Sequence, residues 1–432
     1  MKPLKASAIL FLSFTIFGLG AAGIGSLFKS TTRKLTSSAD SIKLSKADER
    51  ILRATQLIER APQRADGYNQ LASAYLQKAR ETAEFGLNAN ADEAINRSLS
   101  VEPDNYDALK LRAKLQLTYH RFAEALETAR QAQRARMDDQ DVWGLITDAL
   151  VELGDYPNAV KSAQKMVDLR PDSSSYARVS YLRSLHGDTH GAIQAMSAAL
   201  KAADPNDPEG IAWCHVHLGN ELMNAGKLDA AENQFDEALR IFDGYRLASQ
   251  AKARARVAAG DLPAAVRIYE REQAKKLSAD AAQALGDLYA ILGQDEVAKD
   301  RYKQFEVLER ENVELEKSWR HMLNHWLDHD QKVADALTLA EQEYEARKDI
   351  FTCDTLAWAL FKNGRVKEAK RFVEEALRTR SKDARINYHA GIIFKALNLR
   401  QKAVQHLRYG GALGSSFDPV QQQAAKKMLA EL

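Results

Sequence analysis

The feature that most limits what this chain can fold into is a short apolar pattern that recurs along it, clearest between Val142 and Asp172. There Trp143, Ile146, Thr147 and Leu150 fall three, one and three positions apart. That spacing lines them along one face of a helix with a 3.6-residue period. Gly154 ends the helix, because a residue without a Cβ adopts the left-handed conformation of a helix C-terminus at little cost. Asp155 is a cap for the helix that follows. Tyr156, Ala159, Ala163 and Met166 form the apolar face of this second helix, and Pro171 stands just after its last turn, where proline stops propagation.

The same spacing returns on both sides. Leu218, Gly219, Leu222, Gly226, Ala231, Phe235 and Ala238 repeat it, as do Leu285, Gly286, Tyr289, Gly293, Ala298 and Tyr302. Leu356, Ala357, Leu360, Gly364, Ala369, Val373 and Ala376 repeat it again. Weaker copies follow Tyr176 (Gly187, Ala192, Met196, Ala199), run through Ala253, Gly260, Ala265 and Tyr269, and occupy Gly391 to Leu407. About ten units of about 34 residues fit between residues 47 and 417. A two-helix unit of this size cannot bury its apolar face alone, so the units must stack.

This alternation of large and small apolar residues resembles the tetratricopeptide repeat over residues 47–417. The stretches TLAWALFKNGRVKEA (Thr355 to Ala369) and INYHAGIIFKAL (Ile386 to Leu397) also look like exported bacterial proteins of that class. The resemblance implies an all-α solenoid coiled into a right-handed superhelix, with the first helix of each unit lining a concave groove that holds a segment of a partner protein. Groove-facing positions would then include Asp107, Lys110, Lys114, Asp141 and Asp148 in the N-terminal half, and Asp280, Asp287 and Arg385 in the C-terminal half. Their signs alternate, so no single long anionic or cationic ligand is favoured throughout. The candidate binding residues of that groove are Tyr181, Trp213, Asn220, Met223, Arg254, Trp358, Phe361 and Tyr388, with the aromatics Tyr181, Trp213, Trp358, Phe361 and Tyr388 as expected anchors, because such residues are typical of interfaces. A two-carboxylate clamp of Lys and Asn on adjacent first helices is not supplied: Lys110 is followed by Lys114, and Asn220 is preceded by Val216.

Catalytic motifs are absent. There is no GxSxG elbow, no glycine-rich phosphate loop, and neither cysteine carries a protease signature. The chain reads as a non-enzyme that needs no cofactor. An alternative is a metal-dependent activity at His321, His325 and His329, spaced four and four in HMLNHWLDHD, where Asp328 or Asp330 could add oxygen. No HExxH base accompanies them, and metal-free histidines on a surface or groove are the expectation. A net charge of +2 with 28% charged residues describes a solvated surface and lacks the basic stripe of a nucleic-acid binder.

The ends differ from the repeats. Lys2 and Lys5 precede an uncharged run from Ala6 to Phe28, with Lys29, Arg33 and Lys34 after it. Residues 1–28 are therefore either a cleaved signal, with small residues at Gly20–Gly23, or a membrane anchor that is retained. Positive charge on both flanks leaves the orientation open, so a cytoplasm-facing assembly factor stands beside an exported scaffold. Residues 29–46, rich in Ser, Thr and Lys, form a flexible tether, and Asp48 to Ala61 an orphan helix. In the first full repeat an insertion around Glu84 to Asn90 lengthens the inter-helix loop. The eighth, Leu315 to Arg347, has a long first helix and a charged connection at Asp328 to Lys332. Residues 418–432 suit a C-terminal capping helix, with Val420, Ala424, Ala425, Met428 and Leu429 on its apolar side.

Cys214 and Cys353 fall in the fifth and ninth repeats. With packed helices about 8–10 Å apart, four repeats of two helices separate them by far more than the roughly 7 Å that a disulfide requires, unless the superhelix brings distant turns together. Thiol titration of the unfolded chain without reductant is expected to find two free thiols. Finding none would establish a bridge.

Overall fold

The computed structural model describes residues 45–82, 84–316, 318–411 and 418–432. The signal-or-anchor segment, and all but the last two residues of the tether, lie outside them. The chain divides into a short unit ending at Glu49 and a helical unit from Arg50 to Leu432. Among the described residues no helix is long and apolar enough to cross a membrane.

After α1 (Lys46–Arg60), helices follow in pairs joined by short turns: α2 (Ala65–Thr82) and α3 (Leu87–Val101), α4 (Tyr106–Thr118) and α5 (Phe122–Ala135), α6 (Gln140–Glu152) and α7 (Tyr156–Leu169), α8 (Ser173–Leu185) and α9 (Thr189–Lys201), α10 (Pro208–Asn224) and α11 (Leu228–Ile241). The series continues with α12 (Arg246–Ala258) and α13 (Leu262–Lys275), α14 (Ala279–Ile291) and α15 (Asp295–Glu316), α16 (Arg320–Asp328) and α17 (Val333–Ala346), α18 (Ile350–Lys362) and α19 (Val366–Ala376), α20 (Ala384–Ala396) and α21 (Arg400–Gly410). A last helix, α22 (Pro419–Glu431), packs on α21 and α20. Described helices only, without strands, make this an all-α solenoid, as the recurring pattern requires.

Local chemistry sets the boundaries. Gly154 has φ 76° and Asp155 accepts a hydrogen bond from the Asn158 N–H, so cap and turn are where the pattern puts them. Asp188, Asp207 and Asp261 cap α9, α10 and α13 in the same way. Within a pair, the small residue of the first helix makes room for the large one of the second. A Cβ on Gly219 would enter the ring of Phe235, and one on Gly286 that of Tyr302. Phe235 is thereby fully buried, worth about 1.5–3 kcal/mol against exposure.

Two sequence expectations are corrected. The extra residues of the first repeat do not form a long loop: α2 extends to Thr82 and α3 starts at Leu87, so most of the insertion is absorbed as helix. In the eighth repeat the first helix is short, Arg320–Asp328, and the length belongs to α15 before it. That connection turns tightly through Asp330 and Lys332, at φ 53° and 43°.

The stack also touches itself across long sequence separations. The Tyr156 hydroxyl accepts from the Ile350 N–H at 2.9 Å, and the Lys348 N–H donates to the Glu152 carbonyl at 3.3 Å. Ile350, Cys353, Ala376 and Ile386 share one apolar cluster with Val142, Tyr156 and Ala159. Beside them Arg347, 2% exposed, pairs with Asp349 at 3.0 Å and lies 3.5 Å from Glu152. A second contact joins Arg80 to Glu209 at 3.1 Å, with the Tyr245 hydroxyl donating to the same carboxylate. Even so, Cys214 and Cys353 sit in separate apolar clusters, both buried and free.

Gly154 is therefore constrained twice, by its positive φ and by the Lys348 carbonyl packed where a Cβ would go. Gly226 shares the φ, at 72°, but faces open space. Gly226→Ala is expected to cost roughly 1–2 kcal/mol of backbone strain, and Gly154→Ala distinctly more, measured as the shift in denaturant midpoint. Equal losses would show that the contact between distant turns contributes nothing.

Candidate functional site

First helices of several successive pairs touch one another, α2 with α4, α4 with α6, α6 with α8, α16 with α18 and α18 with α20. This brings their inner faces into two runs of wall, α2 to α8 and α16 to α20. Along them lie a cavity of about 920 Å³ in the N-terminal half, two of about 250 Å³ at a waist, and one of about 960 Å³ in the C-terminal half. Leu117, Asp148 and Arg178 border both the first and second of these; Glu152, Tyr181 and Arg320 border both waist cavities; Arg385 borders the last two. The four therefore follow one another as an inner channel in which each cavity shares bordering residues with the next.

The C-terminal cavity is walled by aromatic and aliphatic groups. Trp358 stacks between Phe361 and His389, with ring centroids 5.1 and 4.2 Å away and planes within 9° of parallel. Tyr388 and Ile392 continue that wall from α20, and Leu247 and Val257 stand on α12. Asp328 fixes the aromatic wall: its carboxylate accepts from the Trp358 indole N–H at 3.1 Å and pairs with the Arg385 guanidinium. Burial opposes its charge, but Arg385 and His389 outweigh it and hold the Asp328 carboxyl well below its usual range. The buried His389 donates from Nδ1 to the Asp354 carboxylate at 2.9 Å, and although burial opposes it, that charge keeps its pKa above the ordinary value. Opposite, Asp287 accepts from the Tyr302 hydroxyl at 2.9 Å and faces His329 at 3.5 Å. Asp418, the cap of α22, accepts from the N–H groups of Val420 and Gln421 and closes the cavity at the C-terminal side.

Of the groove residues expected from sequence, Arg254, Trp358, Phe361 and Tyr388 meet in this one cavity. Trp358 and Tyr388 are 5% and 9% exposed, so each offers an edge more than a face. Tyr181, 44% exposed, stands at the waist. The other three are elsewhere. Met223 is fully buried in the core between α10 and α12, which corrects its reading as a groove residue. Trp213 is part-buried, its ring 3.9 Å from that of His217, and Asn220 keeps its side-chain oxygen buried without a partner among the described residues. Sequence reasoning passed over Tyr269 and Tyr302, which belong to second helices, and Asp418. Only the cap motif Asp-Pro hinted at the last, and a cap does not say what it faces.

The histidines of α16 share a face, as their spacing requires, but line up against α15 instead of converging. His321 contacts Phe305 and lies 3.3 Å from Glu309; His325 lies against Phe305 and Tyr302; His329 turns to Asp287. The expectation of surface or groove histidines fails for His325, which is fully buried with neither ring nitrogen hydrogen-bonded among the described residues. Among those residues no group of three or more His, Cys, Asp or Glu side chains is placed to hold a metal ion.

These rings set a pH dependence. Burial pushes His325 down to about 3, with His329 and His321 adding to the shift, and pushes His217 and His120 down to about 4. Their stability contribution is present above the unfolded value of about 6.5 and is lost as pH falls towards the folded values. His329 is raised by Asp287; His321 and His389 are raised by carboxylates that outweigh burial. Their contribution is present below about 6.5 and is lost as pH rises through the folded values. The melting temperature is expected to peak near pH 6–7, and His325→Phe to flatten the acid limb. A melting temperature rising steadily through pH 8.5, or an acid limb unchanged in the variant, would contradict this assignment.

No curated protein matches this sequence. Residues 217–275, from α10 to α13, match the family described as tetratricopeptide repeat. Among solved structures, a human IFIT1 dimer with m7Gppp-AAAA is similar over 83% of this chain and 86% of its own, at 15% identity and a TM-score of 0.50. A thermophilic TPR protein of Thermus thermophilus, TTC0263, is similar over 43% of this chain and 99% of its own, at 19% identity and a TM-score of 0.38. YrrB, a TPR protein with an unusual peptide-binding site, is similar over 46% and 97%, at 20% identity and a TM-score of 0.28. Residues 217–275 thus match a tetratricopeptide repeat, and the same helix pair recurs along the described length of the chain.

Proposed function

We propose that this chain is a non-enzymatic scaffold for protein interaction, exported or tethered to a membrane, whose inner channel holds a segment of a partner protein. The observation that carries the reading is the succession of four cavities, each sharing lining residues with the next. A channel bordered end to end by side chains suits an extended or helical chain better than a small compact ligand. The aromatic wall of Trp358, Phe361 and Tyr388 supplies rigid apolar area at little entropy cost, the property that makes such residues anchors. Export or tethering rests on the charged, apolar, charged order of residues 1–34.

The rim offers a clean test. Leu247 and Val420 border the C-terminal cavity and are 41% and 58% exposed, so charges there should leave the fold intact. Affinity purification from the native membrane fraction with quantitative mass spectrometry is expected to lose its specific partners at least fivefold in a Leu247→Arg/Val420→Arg variant. Val307→Arg, on an exposed position away from the channel, should retain them. Unchanged recovery from a folded rim variant would remove the channel from the account. A reporter fused after Leu432 that is active only in the cytoplasm would end the exported reading.

A further inference from the structure

The alternation of charge along the first helices, which in the sequence favours no ligand sign, is partly cancelled in the fold, where four of the lining carboxylates pair with Arg or Lys and two more face histidines. In the N-terminal cavity Asp148 is held by Arg178 at 2.6 Å, Asp141 by Lys110 at 3.2 Å, and Asp66 by Arg64 at 2.6 Å. In the C-terminal cavity Asp328 is taken by Arg385, Asp287 accepts from the neutral Tyr302 hydroxyl and lies 3.5 Å from His329, which offsets its charge when protonated, and Asp418 is met only by the N–H groups and dipole of its own helix N-terminus. Asp280 lies 3.7 Å from His321. The remaining carboxylate of the lining, Asp107, is exposed in the first turn of α4, where the helix dipole favours it.

The cations do not cancel to the same degree. Among the described residues, the Lys114 ammonium in the N-terminal cavity and the Arg254 guanidinium in the C-terminal one have no hydrogen bond or ion pair, and Arg50 bonds only to the neutral Gln77 and Ser73. Lys114 stands in the cavity's solvent but is walled by protein, and this crowding together with the like charges of Arg80 and Arg178 lowers its pKa. A negative group beside it would relieve that repulsion.

We infer that the channel is read by an acidic segment of a partner protein, whose carboxylates meet Lys114 and Arg50 in the N-terminal cavity and Arg254 in the C-terminal one. The inference rests on the channel reading above and adds the sign of the ligand. A peptide is favoured over a nucleic acid because most inner cations are already neutralised, leaving isolated positive points in place of the stripe that a phosphate backbone needs.

The test uses the full chain in detergent and fluorescein-labelled peptides of one length, with Leu and Phe at fixed positions and Glu, Gln or Lys between them. Fluorescence anisotropy is expected to show the Glu peptide binding at least tenfold tighter than the Gln peptide, with the advantage shrinking at about 0.3 M salt. Lys114→Gln/Arg254→Gln should lose that advantage while keeping its melting curve and its affinity for the Gln peptide, and Lys114→Glu/Arg254→Glu should prefer the Lys peptide. Equal binding of Glu and Gln peptides, or an unaffected double variant, overturns the inference. If the rim variant still abolishes that equal binding, the channel reading survives it; if no peptide depends on the rim, both fall. A single-stranded RNA bound more tightly than the Glu peptide, through Lys114 and Arg254, would overturn the peptide in favour of a nucleic acid.

Discussion

Everything in this fold depends on the inability of a single helix pair to bury its own apolar face. The contact that solves the problem locally is a large residue of a second helix seated over a glycine or alanine of the first, as Phe235 sits over Gly219 and Tyr302 over Gly286. Close approach of the two backbones is what the small residue provides, and it leaves the opposite face of each pair to be covered by the next. Stacking is thus obligatory, and the inner wall of first helices follows from it.

A second level of packing belongs to distant turns. Glu152, Gly154 and Tyr156 meet Arg347, Lys348 and Ile350 through backbone, aromatic and ionic contacts at once. Unpaired, the buried Arg347 would be costly, and so would a buried Asp349; together, with Thr352 and Glu152 around them, they hold one another. This contact narrows the channel at its waist, where Tyr181 and Arg320 stand, and so separates a polar N-terminal cavity from an aromatic C-terminal one.

The C-terminal cavity shows how the structure reuses repeat positions. Trp358 looked like an exposed anchor, yet it is clasped by Phe361 and His389 and hydrogen-bonded to Asp328. Its task is to keep the wall rigid, and the more accessible surface falls to Phe361, Leu247 and Val420. His325 follows the same logic from the other side, buried by the large residues of α15 although its spacing pointed outward. Met223 went wrong for a related reason: in α10, buried on several faces, amphipathic period no longer separates inside from outside.

From sequence alone one could read the helix pairs, their glycine turns and aspartate caps, the need to stack, and the class of repeat, because each depends on residues within a turn or two of one another. Arg254, Phe361 and Tyr388 could be nominated as lining for the same reason. Which distant units touch, where the channel narrows, how Asp328 and Asp418 come to face Asp287, and which charges remain without a partner were decided only by the tertiary structure. Those features depend on small rotations between successive pairs that accumulate over many repeats, and no local spacing records their sum.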